Sequence, residues 1–181
     1  MATPSRSFQV AGIGEVLWDV FPDRAQFGGA PANFASHCRA LGANAYVISG
    51  IGQDDLGTRT VAFLSKRGID TSVLAVSEAH ETGVALVSLD ADGKAEYEIK
   101  EGVAWDVFQF TPEMQAIAKT LDAVCFGSLG QRDARARETI RQFLAATPQQ
   151  CLRMFDINLR QSYFSEDLIR RSLAMANGLK L

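Results

Sequence analysis

A glycine corner, a cluster of carboxylates and a terminal Asp-x-Asn-x-Arg are the parts of this chain that could do chemistry. Gly28-Gly29-Ala30-Pro31-Ala32-Asn33 joins two residues without Cβ, which permit a tight bend and the close approach of a ligand, to a helix start. Pro31 suits the first helical turn, where its missing N–H costs nothing. Asn33 then sets a donor and an acceptor beside the free N–H groups of that turn. Such a corner suits a small polyhydroxylated ligand. Asp19 follows Glu15 by four residues and adjoins Trp18. It can accept hydrogen bonds from vicinal hydroxyls; the plainer alternative is a surface carboxylate in a loop. Asp156, Asn158 and Arg160 close an apolar run at alternate positions, which puts them on one side of an extended chain. Together they could handle a phosphate, a metal-bound water or a substrate hydroxyl. They could also be a salt bridge closing the sheet edge.

Other chemistries are excluded by spacing. Gly12-Ile13-Gly14 follows a strand-like run, but the sixth position of a dinucleotide fingerprint is Leu17, so the pattern fails. The run from Gly50 to Gly57 fails as well, and no Gly-Lys-Ser or Gly-Lys-Thr is present. After Gly130 the only glycine is Gly178, so no phosphate-cradling loop follows. His37 and His80 share no metal-like cluster and are read as structural or surface residues. Cys38, Cys125 and Cys151 are far apart in apolar settings, which suggests buried reduced thiols in a cytoplasmic protein.

The elements that must position these groups alternate. Phe8 to Ile13, Ala45 to Ser49, Ala123 to Phe126 and Met154 to Ile157 read as buried strands. Between them lie helices. The first begins near Pro31, carries Phe34, Cys38 and Leu41 on one face and stops at Gly42. The second runs from about Leu56 to Gly68 with Thr60, Phe63 and Leu64 inward. Thr111, Asp133 and Ser165 stand at the starts of three more. This alternation predicts a mainly parallel sheet with helices on its faces. One segment differs. Gly83 to Leu89, a turn at Asp92-Gly93, and Lys94 to Lys100 predict a β-hairpin with one wet face. It either packs on the main sheet or forms a lid over a ligand.

With 181 residues, 47% hydrophobic and 22% charged, the chain can bury one core. Its net charge of −3 offers no field for nucleic acid or an anionic membrane. No apolar run approaches the roughly 18–20 residues that span a bilayer.

Four motifs in order carry a family resemblance: Gly14-Glu15 to Asp19, Gly28-Gly29-x-x-x-Asn33, Gly52-x-Asp54-x-x-Gly57 and Asp156-x-Asn158-x-Arg160. The chain resembles the ribokinase-like (PfkB-type) carbohydrate kinases from about residue 8 to 181. Tyr97 to Asp106, with Trp105, is similar to the bacterial fructokinase branch. The resemblance implies a three-layer α/β/α fold with a small antiparallel β lid, about residues 83–100. It implies transfer of phosphate from ATP to a sugar, fructose above all, with magnesium. It implies that Asp19, Gly28, Gly29 and Asn33 hold sugar hydroxyls, with Tyr97 and Ile99 on the lid. Asp156, Asn158 and Arg160 would lie where sugar and phosphate donor meet. Family members are longer, and carry beyond the equivalent of Leu181 an Asn-x-x-Glu motif and a Gly-Asp loop with the catalytic base. Residues 1–181 are therefore expected to be the N-terminal part, with a truncated sheet, no catalytic residue or metal ligand of their own, and no secure hold on ATP or Mg2+. The expected consequences are an inactive fragment, an uncovered apolar face, and homodimerisation or other self-association. The alternative is a non-catalytic sugar-binding or vestigial module.

Overall fold

The computed structural model describes residues 6–89 and 95–181. In chain order the elements are β1 (Gln9–Ile13), β2 (Leu17–Val20), β3 (Ala25–Gly28), α1 (Ala30–Ala40), β4 (Asn44–Ile48) and β5 (Gly50–Gly52). There follow α2 (Asp55–Lys66), β6 (Ala75–Ser77), β7 (Gly83–Leu89), β8 (Ala95–Ile99) and α3 (Pro112–Ala118). The chain finishes with β9 (Ala123–Gly127), α4 (Ala134–Ala145), β10 (Leu152–Asp156), α5 (Glu166–Met175) and β11 (Gly178–Lys180).

The central sheet is wholly parallel, in the order β11-β10-β9-β1-β4. β1 and β9 are near-continuous apolar runs because helices cover both of their faces. On one face α3, α4 and α5 bury Met114, Ile140, Phe143 and Leu144 against Val124, Phe126 and Phe155, the last two rings stacked 5.2 Å apart. On the other face α1 and α2 pack Ala32, Ala35 and Leu64 against Val10, Ala45 and Val47. The layers are therefore α/β/α. Helix starts follow the caps in the sequence. Thr111 accepts from the Met114 N–H, Asp133 from Arg135 and Ser165 from Leu168, each satisfying a donor the helix leaves free.

The inward face of α1 differs from expectation. Pro31, Ala32 and Ala35 are buried, whereas Leu41 is 89% exposed and Phe34 and Cys38 are half-buried. The helix lies too close to β1 for large side chains. A Cβ on Gly12 would stand 2.0 Å from the Pro31 carbonyl oxygen, so small residues must face inward on both elements. Gly12 is thus a packing glycine. The thiol reading is corrected with it: Cys125 and Cys151 are buried, Cys38 is only partly so, and all three are free.

A second sheet, ordered β3-β2-β7-β8, stands over the carboxyl edge of the first. The hairpin arms are β7 and β8, antiparallel with Val87 opposite Tyr97; the turn at Asp92-Gly93 lies outside the described residues. β2 and β3 were not expected. They pair antiparallel, Asp19 opposite Gln26, around a turn closed by the Phe21 N–H on the Arg24 carbonyl at 2.8 Å. β2 then joins β7 in parallel. This sheet is fixed at its base. Trp18 Nε1 donates to Thr60 Oγ1 at 2.9 Å. Asp54 accepts from the Gly57 N–H, the Thr82 N–H and the Thr82 hydroxyl, each at 2.7 Å.

Candidate functional site

A cleft of ≈ 1010 Å³ opens between the lid sheet and the carboxyl edge of the parallel sheet, where open α/β sheets hold their ligands. All nine sequence-picked residues border it: Asp19, Gly28, Gly29, Asn33, Tyr97, Ile99, Asp156, Asn158 and Arg160.

At one end, Asp19 lies on β2 within the lid sheet rather than in a loop. Gly28 makes room for it, because a Cβ there would stand 3.2 Å from Asp19 Oδ2. Gly29 turns the chain into α1 with φ 114° and passes so close to Glu15 that a Cβ would be 2.5 Å from its carbonyl oxygen. A side chain at that φ is strained as well as crowded. Asn33 sits one turn into α1, its amide exposed to the cleft. Burial raises the Asp19 carboxyl above its usual range, and the Arg160 charge works against that rise.

At the other end the sequence reading needs correction. Strand β10 ends at Asp156, and Asn158 and Arg160 follow in the connection to α5, so their convergence comes from a loop rather than from strand alternation. Asp156 is not a free carboxylate. Its Oδ2 accepts from Lys180 Nζ at 2.7 Å and its Oδ1 from the Asn158 N–H at 3.2 Å. Ser128 ties the same loop down, its hydroxyl lying 3.2 and 3.3 Å from the Ile157 and Asn158 carbonyl oxygens.

Lys180 is a cleft residue that the sequence does not single out, and Glu15 enters the sequence expectations only as a member of a motif. Lys180 ends β11 and brings a cation beside Asn158 and Arg160. Its signal was a lysine closing a short apolar run, visible only once β11 is known to lie next to β10. Glu15 lies beneath the glycine corner, 3% exposed. Its Oε1 accepts the Ala30 N–H at 3.2 Å, and its Oε2 is buried without a partner. Desolvation lifts its pKa to about 7, with the nearby Asp156 charge adding to the rise and backbone N–H groups opposing it. The apolar setting that follows Gly14 hints at such a carboxyl, but sequence does not show which face it takes.

The donor set bears on cofactors. With both oxygens of Asp156 engaged, and no group of three His, Cys, Asp or Glu placed to share an ion among the described residues, these residues do not by themselves fit a magnesium ion. Arg160, Lys180 and the Asn158 amide fit the anionic end of a phosphate donor. No helix among the described residues is long and apolar enough to cross a membrane.

A parallel three-layer core whose carboxyl edge is roofed by a β lid, with a carboxylate and an amide at one end of the cleft and cations at the other, defines a ribokinase-like α/β architecture. The comparisons agree with this class. The family described as pfkB family carbohydrate kinase matches residues 14–181, and the chain belongs to that family. It is 30% identical over 162 residues to an uncharacterized sugar kinase of Pyrococcus horikoshii, covering 83% of this chain and 52% of that one. The crystal structure of that protein in complex with ATP superposes with a TM-score of 0.83 at 25% identity, covering 94% of this chain and 62% of the other. Fructokinase-1 of rice (Oryza sativa subsp. japonica) is 28% identical over 171 residues, 87% of this chain and 53% of the relative. The chain thus spans about half the length of the curated relatives it matches.

Proposed function

We propose that the cleft binds a ketohexose, fructose in the first instance, and belongs to a cytoplasmic kinase that transfers phosphate from ATP to a primary hydroxyl of that sugar. The observation that carries this reading is the polarity of the cleft, with Asp19, Gly29 and Asn33 at one end and Arg160, Lys180 and Asn158 at the other. Asp19 accepts hydrogen bonds from vicinal hydroxyls, and Asn33 donates and accepts beside it. The lid carries Tyr97 and Ile99 over the sugar and excludes water. ATP supplies the phosphoryl group. Arg160 and Lys180 offset the charge on the phosphate oxygens while the sugar hydroxyl oxygen attacks. Similarity to rice fructokinase-1 and to an ATP-bound sugar kinase supports this choice of sugar and donor.

We further propose that residues 1–181 bind sugar without turning it over. Asp156, the carboxylate nearest the cationic end, is held by Lys180 and by the Asn158 N–H, and is not placed to take the hydroxyl proton. The test is calorimetric titration with fructose, ribose and glucose, followed by an assay of sugar-dependent ADP formation with excess Mg-ATP. Saturable fructose binding, lost in Asp19→Ala and without turnover, is the expected result. Binding unaffected by Asp19→Ala would sink the assignment of the cleft. Turnover above the sugar-free blank would sink the claim of catalytic incompleteness.

A further inference from the structure

Strand β8 is one of the two edges of the lid sheet, and along a strand the backbone carbonyls of residues i and i+2 point the same way. On the open edge of β8 those carbonyls belong to Tyr97 and Ile99. Both meet side chains from one short turn. Gln161 Nε2 donates to the Tyr97 carbonyl at 2.9 Å. The Tyr163 hydroxyl lies 2.8 Å from Glu101 Oε1 and 3.3 Å from the Ile99 carbonyl oxygen. Residues 161 and 163 are themselves two apart, so the loop matches the period of the strand it covers. An edge that would otherwise present unpaired acceptors is closed by side chains.

The turn that carries these side chains begins at Arg160. The Tyr163 N–H donates to the Arg160 carbonyl at 3.1 Å. Gln161, the second residue of the turn, has φ 45°, and is the one non-glycine with positive φ among the described residues. Such a backbone costs energy and persists only where surrounding contacts hold it. Those contacts are the bonds to the lid. Beyond the turn, Arg132 Nη2 donates to the Lys100 carbonyl at 2.6 Å and pairs with Asp106, both side chains buried. The guanidinium stacks over Trp105 and Tyr163. This fixes the root of β8 to the core, while farther out the strand is held by β7 along one edge and by the turn along the other.

We propose that the 160–163 turn is a strap between the lid and the cationic end of the cleft, with Gln161 and Tyr163 as positioning residues. A movement of the lid over Asp19 then carries Arg160 with it, so that closing on the sugar and placing the cation are one event. The sugar-kinase reading supplies the ligand in this inference; the mechanical link stands on the strap contacts alone.

Hydrogen exchange read by mass spectrometry, first without sugar, tests the link in the intact chain. Loss of one such hydrogen bond is expected to speed exchange about fivefold. In Gln161→Ala the peptides covering 95–100 and 157–163 should accelerate together, while those of β1 and β9 stay unchanged. Tyr163→Phe should do the same. Gln161→Asn, which suits a positive φ but is too short to reach the Tyr97 carbonyl, should behave like Gln161→Ala. Acceleration of one segment without the other, or wild-type behaviour of the Asn variant, would overturn the strap. With fructose added, both segments of the wild-type chain should gain protection in parallel, whereas in Gln161→Ala only the lid should. Absence of any fructose effect in the wild-type chain would count against the sugar reading alone, because the sugar-free arm decides the strap.

Discussion

Glu15 Oε1 accepts the N–H of Ala30 at 3.2 Å, the first amide of α1, and the carboxyl that makes this bond is buried beneath the glycine corner. The charged form gains from the helix N-terminus, yet burial costs more and its pKa rises from 4.5 to about 7. Between those two values the folded chain holds a proton that the unfolded chain has released. Stability contributed by this group is therefore fully present below pH 4.5, falls as pH rises to about 7 and is gone above it. The gap corresponds to roughly 3 kcal/mol. Glu15→Gln keeps an acceptor for Ala30 and removes the titration. Relative to the wild-type chain, this variant should gain stability in urea unfolding between pH 5 and pH 8. A difference that stays constant with pH would show that Glu15 ionises normally in the fold.

Asp54 works in the opposite sense. Burial opposes its charge, but hydrogen bonds from Thr82 and Gly57 outweigh that effect and hold its pKa below the usual carboxylate range. Its contribution is present near neutral pH and lost as pH falls through its lowered folded value. Asp54→Ala removes the N-cap bond of α2 and two bonds that join it to the root of β7, and should cost about 3 kcal/mol at pH 7. Thr82→Val removes some of the same bonds. The double variant should therefore fall well short of the sum of the single effects, measured by denaturant midpoints at constant slope.

Two glycines separate packing from turning. Gly12→Ala drives a Cβ to 2.0 Å from the Pro31 carbonyl oxygen, backbone against backbone, while Gly42 has nothing within 4 Å of its Cβ position. Gly12→Ala should destabilise by at least about 3 kcal/mol, as overpacking without a flexible neighbour does. Gly42→Ala meets only its positive φ of 95°, with an expected cost of about 1 kcal/mol. Thermal unfolding of the two variants orders them. Equal costs would mean that α1 can lift off β1.

How much of this was legible depended on the kind of signal. β1, β4 and β9 carry apolar residues on both faces and announce themselves, as does the Met154–Phe155 part of β10, and caps such as Thr111 and Asp133 mark helix starts because few other residues serve there. β2 and β3 give little local signal because they are four-residue strands with polar members, joined through a Pro22-Asp23 turn that by itself does not specify a hairpin. Strand alternation was extended too far at Asp156, since periodicity does not show where pairing ends. The inward face of α1 was misread because Phe34 and Leu41 look like core. Only the approach of Gly12 reveals that small residues are required there. The nine cleft residues converge as read, but Lys180 and Glu15 depend on contacts between distant segments that no local pattern encodes.

Cysteine chemistry gives a sharp check on burial. Desolvation pushes the Cys125 thiol up to about 12, with the charges of Asp156 and Glu15 adding to the rise. It stays a thiol at any ordinary pH and should resist alkylation until the chain unfolds. Cys38, half-buried at the cleft wall, is also raised by burial but can be reached. Iodoacetamide labelling followed by mass mapping should modify Cys38 first and Cys125 only in denaturant. Labelling of Cys125 in the native chain would show that the floor of the cleft opens.

The apolar strip beside the cleft predicts self-association. Leu41 is 89% exposed, and Leu152, on the α1-side face of β10 with Met154, is 42% exposed. Phe34 and Met154 line the same cleft wall. The α1-side face of β10 and β11 carries no helix comparable to those on its reverse. Covering such a strip with a second copy returns about 25 cal/mol for each Å² of apolar area removed from water. This is enough for dimers at micromolar concentration if roughly 800 Å² per partner is covered well. Sedimentation equilibrium should then show a concentration-dependent shift from monomer to dimer. Leu41→Glu should move that shift to at least tenfold higher concentration without changing the unfolding midpoint of the monomer. A chain that stays monomeric at every concentration, or a Leu41→Glu variant that dimerises like the wild type, would show that this strip does not drive association.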